Sequence, residues 1–198
     1  MNRPFRLGLT GSIGMGKSTT AGLFSEAGVP VWDADAVVHR LYSAGGGAVA
    51  AIAGLCPEAV RDGAVDRDRL KDWIARDPGA LEAVERVVHP LVIADRDAFI
   101  AAQAGHSAPL VVLDIPLLFE TGADRALDAT LVVTAPPEVQ RARVLARPGM
   151  TAEQFDRILA RQMPDAEKRA RADHVIETLT LEAARAAVQD LVRRLTGA

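Results

Sequence analysis

The stretch "FRLGLTGSIGMGKSTTAGLF", residues 5–24, decides the fold of this chain. It starts with a short apolar run, continues through a glycine-rich loop and ends in a helix-like run. The loop, residues 11–18, matches the pattern G-x-x-x-x-G-K-[ST] in the strand–loop–helix order that this pattern requires. Its glycines allow successive backbone N–H groups to turn towards a phosphate at the positive end of the following helix. The sequence therefore predicts a nucleotide-binding loop in an α/β protein.

The residues of this loop have separate predicted tasks in holding ATP. Lys17 is expected to bridge the terminal phosphates, Ser18 to place its hydroxyl on Mg²⁺, and Thr19 to reach an inner phosphate. The alternative is a glycine-rich turn without chemical consequence, which the flanking strand and helix disfavour. The predicted nucleotide-binding residues are Thr10, Gly11, Gly14, Met15, Gly16, Lys17, Ser18 and Thr19.

Composition limits the classes of protein that remain. The chain has 198 residues, of which 49% are hydrophobic, and its formal net charge is −3, so no global charge favours a nucleic-acid partner. The longest uncharged apolar stretch, residues 44–56, is too short for the roughly 20 residues that a membrane-spanning helix needs. Cys56 is the single cysteine, so no internal disulfide can form. We expect a cytoplasmic protein that requires no nucleic acid, membrane or obligate protein partner.

Apolar runs separated by helix-length segments predict a parallel sheet of five strands covered by helices on both faces. The runs are residues 5–10, 29–32, 109–115, 129–135 and 173–177. Between the second and third runs lie more than 70 residues, whereas a simple crossover needs roughly a dozen. We therefore predict an inserted helical acceptor subdomain over residues 36–106, with breaks that include "RDG" (61–63) and "HP" (89–90), and a helical lid over 141–171. The nucleotide-binding core then comprises 1–35, 107–140 and 172–198, within one domain of residues 1–198.

Nucleotide binding leaves three classes open: a guanine-dependent switch, a motor-type ATPase and a kinase. No N-K-x-D segment and no L-S-G-G-Q segment is present. A kinase needs an acceptor pocket and a closing lid, because water must be kept from the γ-phosphoryl group. The inserted region and the arginine-rich segment after residue 140 therefore favour a small-molecule kinase.

Arginines in the predicted lid are candidates for contacts with the transferred phosphoryl group. Arg143 and Arg147 lie four residues apart on a helix predicted from about 137 to 147, so they share one face. A solvated helical face with ordinary ion pairs is the alternative. We assign both arginines a catalytic role as a prediction.

Three further polar residues lie at points where chemistry is expected. Asp114 ends the third apolar strand, where a carboxylate can hold Mg²⁺ or cap the next segment. Glu120 can contact the acceptor or cap "TGADRAL". His89 precedes Pro90 in a helix-like stretch that proline must bend or interrupt, and it either contacts substrate or is structural.

The chain resembles the dephospho-CoA kinase family over essentially its whole length. The matching segments are "LTGSIGMGKST", "VWDADAVVHRLY", "VVHPLV", "VLDIPLLFE", "VVTAPPEVQRARVLAR", "ILARQ" and "ADHVIE". The resemblance implies transfer of the ATP γ-phosphoryl group to the ribose 3′-hydroxyl of dephospho-CoA, the last step of coenzyme A biosynthesis. It also implies a three-layer P-loop kinase fold with strand order 2-3-1-4-5, a helical acceptor domain and a lid. Another nucleoside or nucleotide kinase, and a nucleotide-binding switch, remain as alternatives.

The resemblance also assigns roles to individual residues. Family active-site positions fall on Thr10, the phosphate loop, Asp35 and Arg143, and Arg147 matches a second lid arginine. We expect Asp35 to accept the hydroxyl proton and Asp33 to position or cap, while Mg²⁺ is held by Ser18 and Asp114. The predicted substrate-binding residues are Asp33, Asp35, His89, Leu118 and Glu120. The chain departs from the family where Arg147 precedes Pro148 and where Glu177-Thr178 replaces an asparagine after the last strand, and the second departure bears on the adenine contacts.

Overall fold

The computed structural model describes residues 3–197, which divide into two compact units. The first unit is formed by the chain up to Trp32 and from Ile100 onwards, and the second by Asp33–Phe99. The second unit begins and ends a few residues before the predicted insertion of residues 36–106. The predicted lid, residues 141–171, lies within the first unit.

Within residues 3–197 the chain forms seven strands and nine α-helices. The strands are β1 (Phe5–Thr10), β2 (Val31–Asp33), β3 (Val60–Arg61), β4 (Ala64–Val65), β5 (Leu110–Asp114), β6 (Ala129–Thr134) and β7 (His174–Glu177). The helices are α1 (Lys17–Glu26), α2 (Ala34–Tyr42), α3 (Val49–Leu55), α4 (Arg67–Arg76), α5 (Ala80–Gly105), α6 (Pro137–Leu145), α7 (Ala152–Leu159), α8 (Asp165–Arg171) and α9 (Leu181–Thr196).

Five of the strands form one sheet in the order β2-β5-β1-β6-β7. β1 pairs in parallel with β5 and β6, and β6 pairs in parallel with β7. The predicted order, 2-3-1-4-5, differs from this one only because the sequence analysis left out β3 and β4, which take two numbers in the chain between β2 and β5. The parallel sheet brings the carboxyl ends of its strands to one edge, where ligands bind in such folds.

The core of the first unit lies between this sheet and its helices. All five residues of β5 are buried, as expected for a strand covered on both faces. Leu23 and Phe24 of α1 and Val188 and Leu191 of α9 belong to the same apolar cluster as the strand residues. The phosphate loop therefore connects a strand and a helix that are both packed in this core.

β3 and β4 form a hairpin that the sequence analysis did not predict. Val60 pairs with Val65 and Arg61 with Ala64 in an antiparallel arrangement. The two residues between the strands, Asp62 and Gly63, have φ angles of 49° and 73°. Asp-Gly favours the two-residue hairpin turn because both positions tolerate positive φ. The predicted break at "RDG" is therefore confirmed, and the structure shows that it is the turn of a hairpin.

The second unit has an apolar core of its own, and one of its predicted breaks is absent. Its core includes Ile52, Leu70 and Val84. α5 continues through Pro90, so the predicted interruption at the His-Pro step was wrong. Proline removes one N–H donor from a helix, and a helix of 26 residues retains many other backbone bonds.

The lid segment contains the end of α6 and all of α7 and α8. α7 begins with a capping box: Thr151 Oγ1 accepts from Gln154 N at 3.2 Å, and Gln154 Oε1 accepts from Thr151 N at 3.0 Å. α6 ends at Leu145, two residues before the predicted end. In the part of the chain that the structure describes, no helix is long and apolar enough to cross a bilayer.

Candidate active site

The phosphate loop follows β1 and ends at the first turn of α1. Gly14 and Gly16 have φ angles of 80° and 85°, a region that side chains other than glycine rarely adopt. A Cβ atom at Gly14 would lie 2.5 Å from Val144 Cγ2, and one at Gly16 would lie 2.9 Å from Thr178 Oγ1. Both positions therefore need glycine for conformation and for close packing.

Thr178 joins the phosphate loop to the lid. Its hydroxyl donates to Met15 O at 2.9 Å and accepts from Arg143 Nη1 at 3.0 Å. Arg143 Nη2 also donates to Thr178 O, so two nitrogens of one guanidinium hold the segment that follows β7. The departure from the family pattern at Glu177-Thr178 thus places a hydroxyl where it contacts both the loop and a lid arginine.

Lys17 and Asp114 form an ion pair at the carboxyl edge of the sheet. Asp114 is the last residue of β5 and is 2% exposed, while Lys17 opens α1. Ser18, the next residue of α1, is exposed. The predicted phosphate-binding lysine and the predicted metal-binding carboxylate are therefore in direct contact.

The donor set fits Mg²⁺ in kind, although the protein alone does not build a cage for it. Within residues 3–197, no group of three or more His, Cys, Asp or Glu residues is placed to hold a metal ion. Magnesium bound with a nucleotide usually takes one or two protein oxygens, together with phosphate oxygens and water. Ser18 and Asp114 supply a hydroxyl and a carboxylate of that kind.

A cavity of about 280 Å³ lies beside the loop and contains both predicted lid arginines in its lining. Arg147 lies beyond the end of α6, so the two arginines do not share one helix as predicted, but they line the same space. Other lining residues come from the loop, α1, the segment between β7 and α9, and α9 itself: Gly14, Gly16, Thr19, Thr20, Thr178, Thr180, Leu181 and Ala184. The cavity is therefore a candidate space for part of a nucleotide.

Besides Asp114, three of the predicted site residues have buried side chains. Thr10 Oγ1 donates to Pro116 O at 3.0 Å, and Met15 Sδ accepts from Ala135 N at 3.1 Å. Leu118 is fully buried in the first unit. The side chains of Thr10 and Met15 thus hold the loop in place, and the position of Leu118 does not support its predicted contact with substrate.

Glu120 is held between two parts of the first unit. Its Oε1 accepts from Met163 N at 2.8 Å and lies 2.9 Å from Nζ of Lys168, which is fully buried. The contact between Glu120 and Lys168 is an ion pair. Burial alone raises the pKa of Glu120, but Lys168 and the Met163 N–H outweigh it and lower the pKa. The structure gives Glu120 an anchoring contact, and its acceptor role stays a prediction.

The second unit carries three of the five predicted substrate-binding residues. Asp33 is the N-cap of α2 and accepts from Ala36 N at 3.0 Å, as its capping role required. Asp35 lies exposed in the first turn of the same helix. His89 is exposed on α5. Asp35 is thus accessible to a substrate, and the substrate roles of all three stay predictions.

Two glutamines that the sequence analysis did not select contact the phosphate loop. Gln140 Nε2 donates to Ile13 O at 2.8 Å, and Gln162 Oε1 accepts from Ile13 N at 3.1 Å. Neither glutamine belongs to the loop motif, and they lie 127 and 149 residues from Ile13. The sequence signal that could have directed attention to Gln162 is its place in the family-like segment "ILARQ".

Comparisons with known proteins, by sequence and by structure, both match this chain to dephospho-CoA kinases. A sequence profile described as Dephospho-CoA kinase matches residues 5–182. The chain is 64% identical over 193 residues to the dephospho-CoA kinase of Cereibacter sphaeroides, covering 98% of this chain and 96% of the relative. The crystal structure of TT1252 from Thermus thermophilus superposes with a TM-score of 0.86 at 39% identity, covering 98% of each chain. The dephospho-CoA kinase of Campylobacter jejuni shares the fold with a TM-score of 0.67 at 19% identity and 98% coverage of each chain.

Proposed function

The chain belongs to the dephospho-CoA kinase family, and we propose that it transfers the γ-phosphoryl group of ATP to the ribose 3′-hydroxyl of dephospho-CoA, giving coenzyme A and ADP. The observation that carries the proposal is the contact between Lys17 of the phosphate loop and Asp114 at the end of β5. This pair supports the proposal, because a cation suited to phosphates and a carboxylate suited to a metal lie together at one edge of the sheet. A cytoplasmic location remains part of the proposal.

The donor side of the reaction is assigned to the loop and Lys17. Backbone N–H groups between Gly11 and Ser18 would bind the phosphates, and Lys17 would neutralise charge on the terminal ones. Ser18 and Asp114 would hold Mg²⁺, which neutralises phosphate charge when bound. Arg143 and Arg147 line the cavity beside the loop, which supports their assignment to the charge on the transferred group.

The acceptor side of the reaction is assigned to Asp35. The 3′-hydroxyl oxygen forms a bond to the γ-phosphorus as the bond to the β,γ-bridging oxygen breaks, and ADP leaves with that oxygen. The hydroxyl proton passes to the Asp35 carboxylate. Support comes from the exposure of Asp35 in the first turn of the helix that directly follows β2.

We expect Asp35→Asn to lower kcat by about two orders of magnitude or more, because the amide cannot take up the proton. The Kd for ATP should change little, since Asp35 is not part of the phosphate loop. Initial rates with both substrates and calorimetric titration with ATP measure the two effects. Asp68→Asn is the matched control, because Asp68 is an exposed aspartate in the first turn of α4. An Asp35→Asn enzyme with wild-type kcat would remove this assignment.

The choice of acceptor is tested directly. Purified protein with ATP and Mg²⁺ is offered dephospho-CoA, nucleosides and nucleoside monophosphates in parallel, and the products are identified by mass. We expect a gain of one phosphoryl group on dephospho-CoA alone. Phosphorylation of a nucleoside or nucleotide instead, or of no acceptor while ATP binds, would replace the proposal with one of its alternatives.

A further inference from the structure

Gln140 is a buried polar residue whose side chain reaches the phosphate loop. It lies on α6, is 5% exposed, and donates from Nε2 to Ile13 O at 2.8 Å. A buried amide is costly unless it is hydrogen-bonded, so this contact fixes the orientation of the side chain. α6 thereby holds one carbonyl of the loop in a set direction.

Gln162 contacts the same loop residue from the segment between α7 and α8. Its Oε1 accepts from Ile13 N at 3.1 Å. The next residue, Met163, is fixed by its N–H bond to Glu120, which is itself paired with the buried Lys168. The segment that carries Gln162 is therefore also anchored, through Met163, to Glu120.

Together the two glutamines fix two successive peptide groups of the loop. The Ile13 N–H belongs to the peptide between Ser12 and Ile13, and the Ile13 carbonyl belongs to the peptide between Ile13 and Gly14. Peptide bonds in the described residues are trans, so the N–H of Gly14 points opposite to the carbonyl that Gln140 holds. Gln140 thus directs the Gly14 N–H away from α6, while Gln162 occupies the Ile13 N–H.

We propose that Gln140 and Gln162 are positioning residues that select which N–H groups of the loop face a phosphate. Gln140 presents the Gly14 N–H to the ligand, and Gln162 keeps the neighbouring Ile13 peptide from rotating. Both side chains are neutral, so they orient the loop without adding charge that would repel or replace a phosphate. The inference deepens the proposed kinase function and rests on it only for its kinetic readout.

The test replaces each glutamine by methionine, which keeps most of the side-chain volume and removes the polar contact. We expect Gln140→Met and Gln162→Met each to raise the Kd for ATP about 3- to 10-fold, the effect of one hydrogen bond. The kcat should fall, because the γ-phosphoryl group is less well positioned. The KM for dephospho-CoA should stay within about twofold of wild type, which a general loss of structure would not allow. Titration with ATP alone requires no acceptor, so it tests the loop even if the proposed acceptor were wrong.

Gln189→Met is the matched control, because Gln189 is an exposed glutamine on α9. It should leave ATP affinity, kcat and the unfolding temperature unchanged. Wild-type ATP affinity in both Gln140→Met and Gln162→Met would overturn the proposal. An equal weakening of ATP and dephospho-CoA binding in either variant would also overturn it, because that result indicates a general structural defect.

Discussion

Gly14 illustrates how a single backbone position can serve both folding and ligand binding. Its positive φ costs other residues about 1–2 kcal/mol, and the Cβ contact with Val144 adds a steric cost in the core beneath the loop. Gly28 has nearly the same φ angle, 79°, but a Cβ atom there would meet nothing within 4 Å. A comparison of substitutions at the two glycines therefore separates the free-energy cost of backbone strain from that of close packing.

We expect Gly28→Ala to lower the free energy of unfolding by about 1 kcal/mol and to leave ATP affinity unchanged. Gly14→Ala should lower it further, by about 2–4 kcal/mol, and should also weaken ATP binding, because relief of the clash moves the loop. Urea denaturation and ATP titration of the two variants measure both effects. Equal losses of stability in the two variants would contradict the packing role of Gly14.

Between elements, the contact of Glu120 with Lys168 joins the segment after β5 to α8. A fully buried ammonium needs its counter-charge, since removal of one partner leaves the other charge desolvated. The same carboxylate accepts from the Met163 N–H, so α8 and the segment before it are both held by the Glu120 side chain. The carboxyl-terminal part of the lid segment is thus anchored to the segment after β5.

Replacement of Lys168 by methionine should lower the free energy of unfolding at pH 7 by about 3 kcal/mol. The pKa of Glu120 should rise in this variant, because burial is then no longer outweighed by the ammonium. The deficit should therefore shrink as the pH falls and Glu120 becomes neutral. Lys71→Met is the control, because Lys71 is exposed and pairs with an exposed aspartate. A deficit that does not change with pH would contradict the pairing.

At the scale of the whole molecule, the stability of the first unit depends on pH through carboxylates such as Asp128. Asp128 accepts from Arg6 N at 2.9 Å and from Arg6 Nε at 3.1 Å, linking β1 to the start of β6. Burial raises the pKa of Asp128, but the bonds and charges of Arg6 and Arg3 outweigh it and lower the pKa below its ordinary value. The folded state therefore binds fewer protons at this carboxyl than the unfolded state does.

The free energy that Asp128 contributes should be complete above the ordinary aspartate pKa of about 3.9 and should be lost as the pH falls through the lower folded-state pKa. Asp128→Asn should cost about 1–3 kcal/mol at pH 7, and its stability should approach that of the wild type as the pH falls through the folded-state pKa of Asp128. Denaturation series from pH 7 to pH 2.5 measure the difference. Asp156→Asn, at a surface ion pair, should cost less than about 0.5 kcal/mol. A constant difference for Asp128→Asn across this range would exclude the ionic contribution.

The parallel sheet and the phosphate loop were predictable because their signals are local. Each strand of the sheet is a short apolar run, and the loop pattern fixes its own flanking elements. The β3–β4 hairpin carried a local signal in Asp62-Gly63, but its strands have only two residues each and show no alternation. The sequence therefore indicated a break at this point but not a hairpin.

The supporting contacts of the site were not predictable in this way. Gln140 meets Ile13 because the sheet order places β6 and the following helix α6 beside β1, and Gln162 reaches the same residue from the segment between α7 and α8. Leu118 matched a family segment, but its burial depends on packing that a sequence pattern does not report. Local sequence patterns identify the residues that perform chemistry, whereas the residues that support them are identified only from the folded structure.

The first turn of α1 has no side-chain cap. Gly16 is the N-cap of α1 and offers no side-chain oxygen, and the first turn contains no acidic residue. Helices elsewhere in the chain begin at Asp33, Asp66, Thr151 and Thr180, whose side chains accept from the first turn. An incoming phosphate would supply the acceptor oxygens that these side chains supply elsewhere. A bound nucleotide then caps α1, so α1 gains and loses its capping group once in each catalytic cycle.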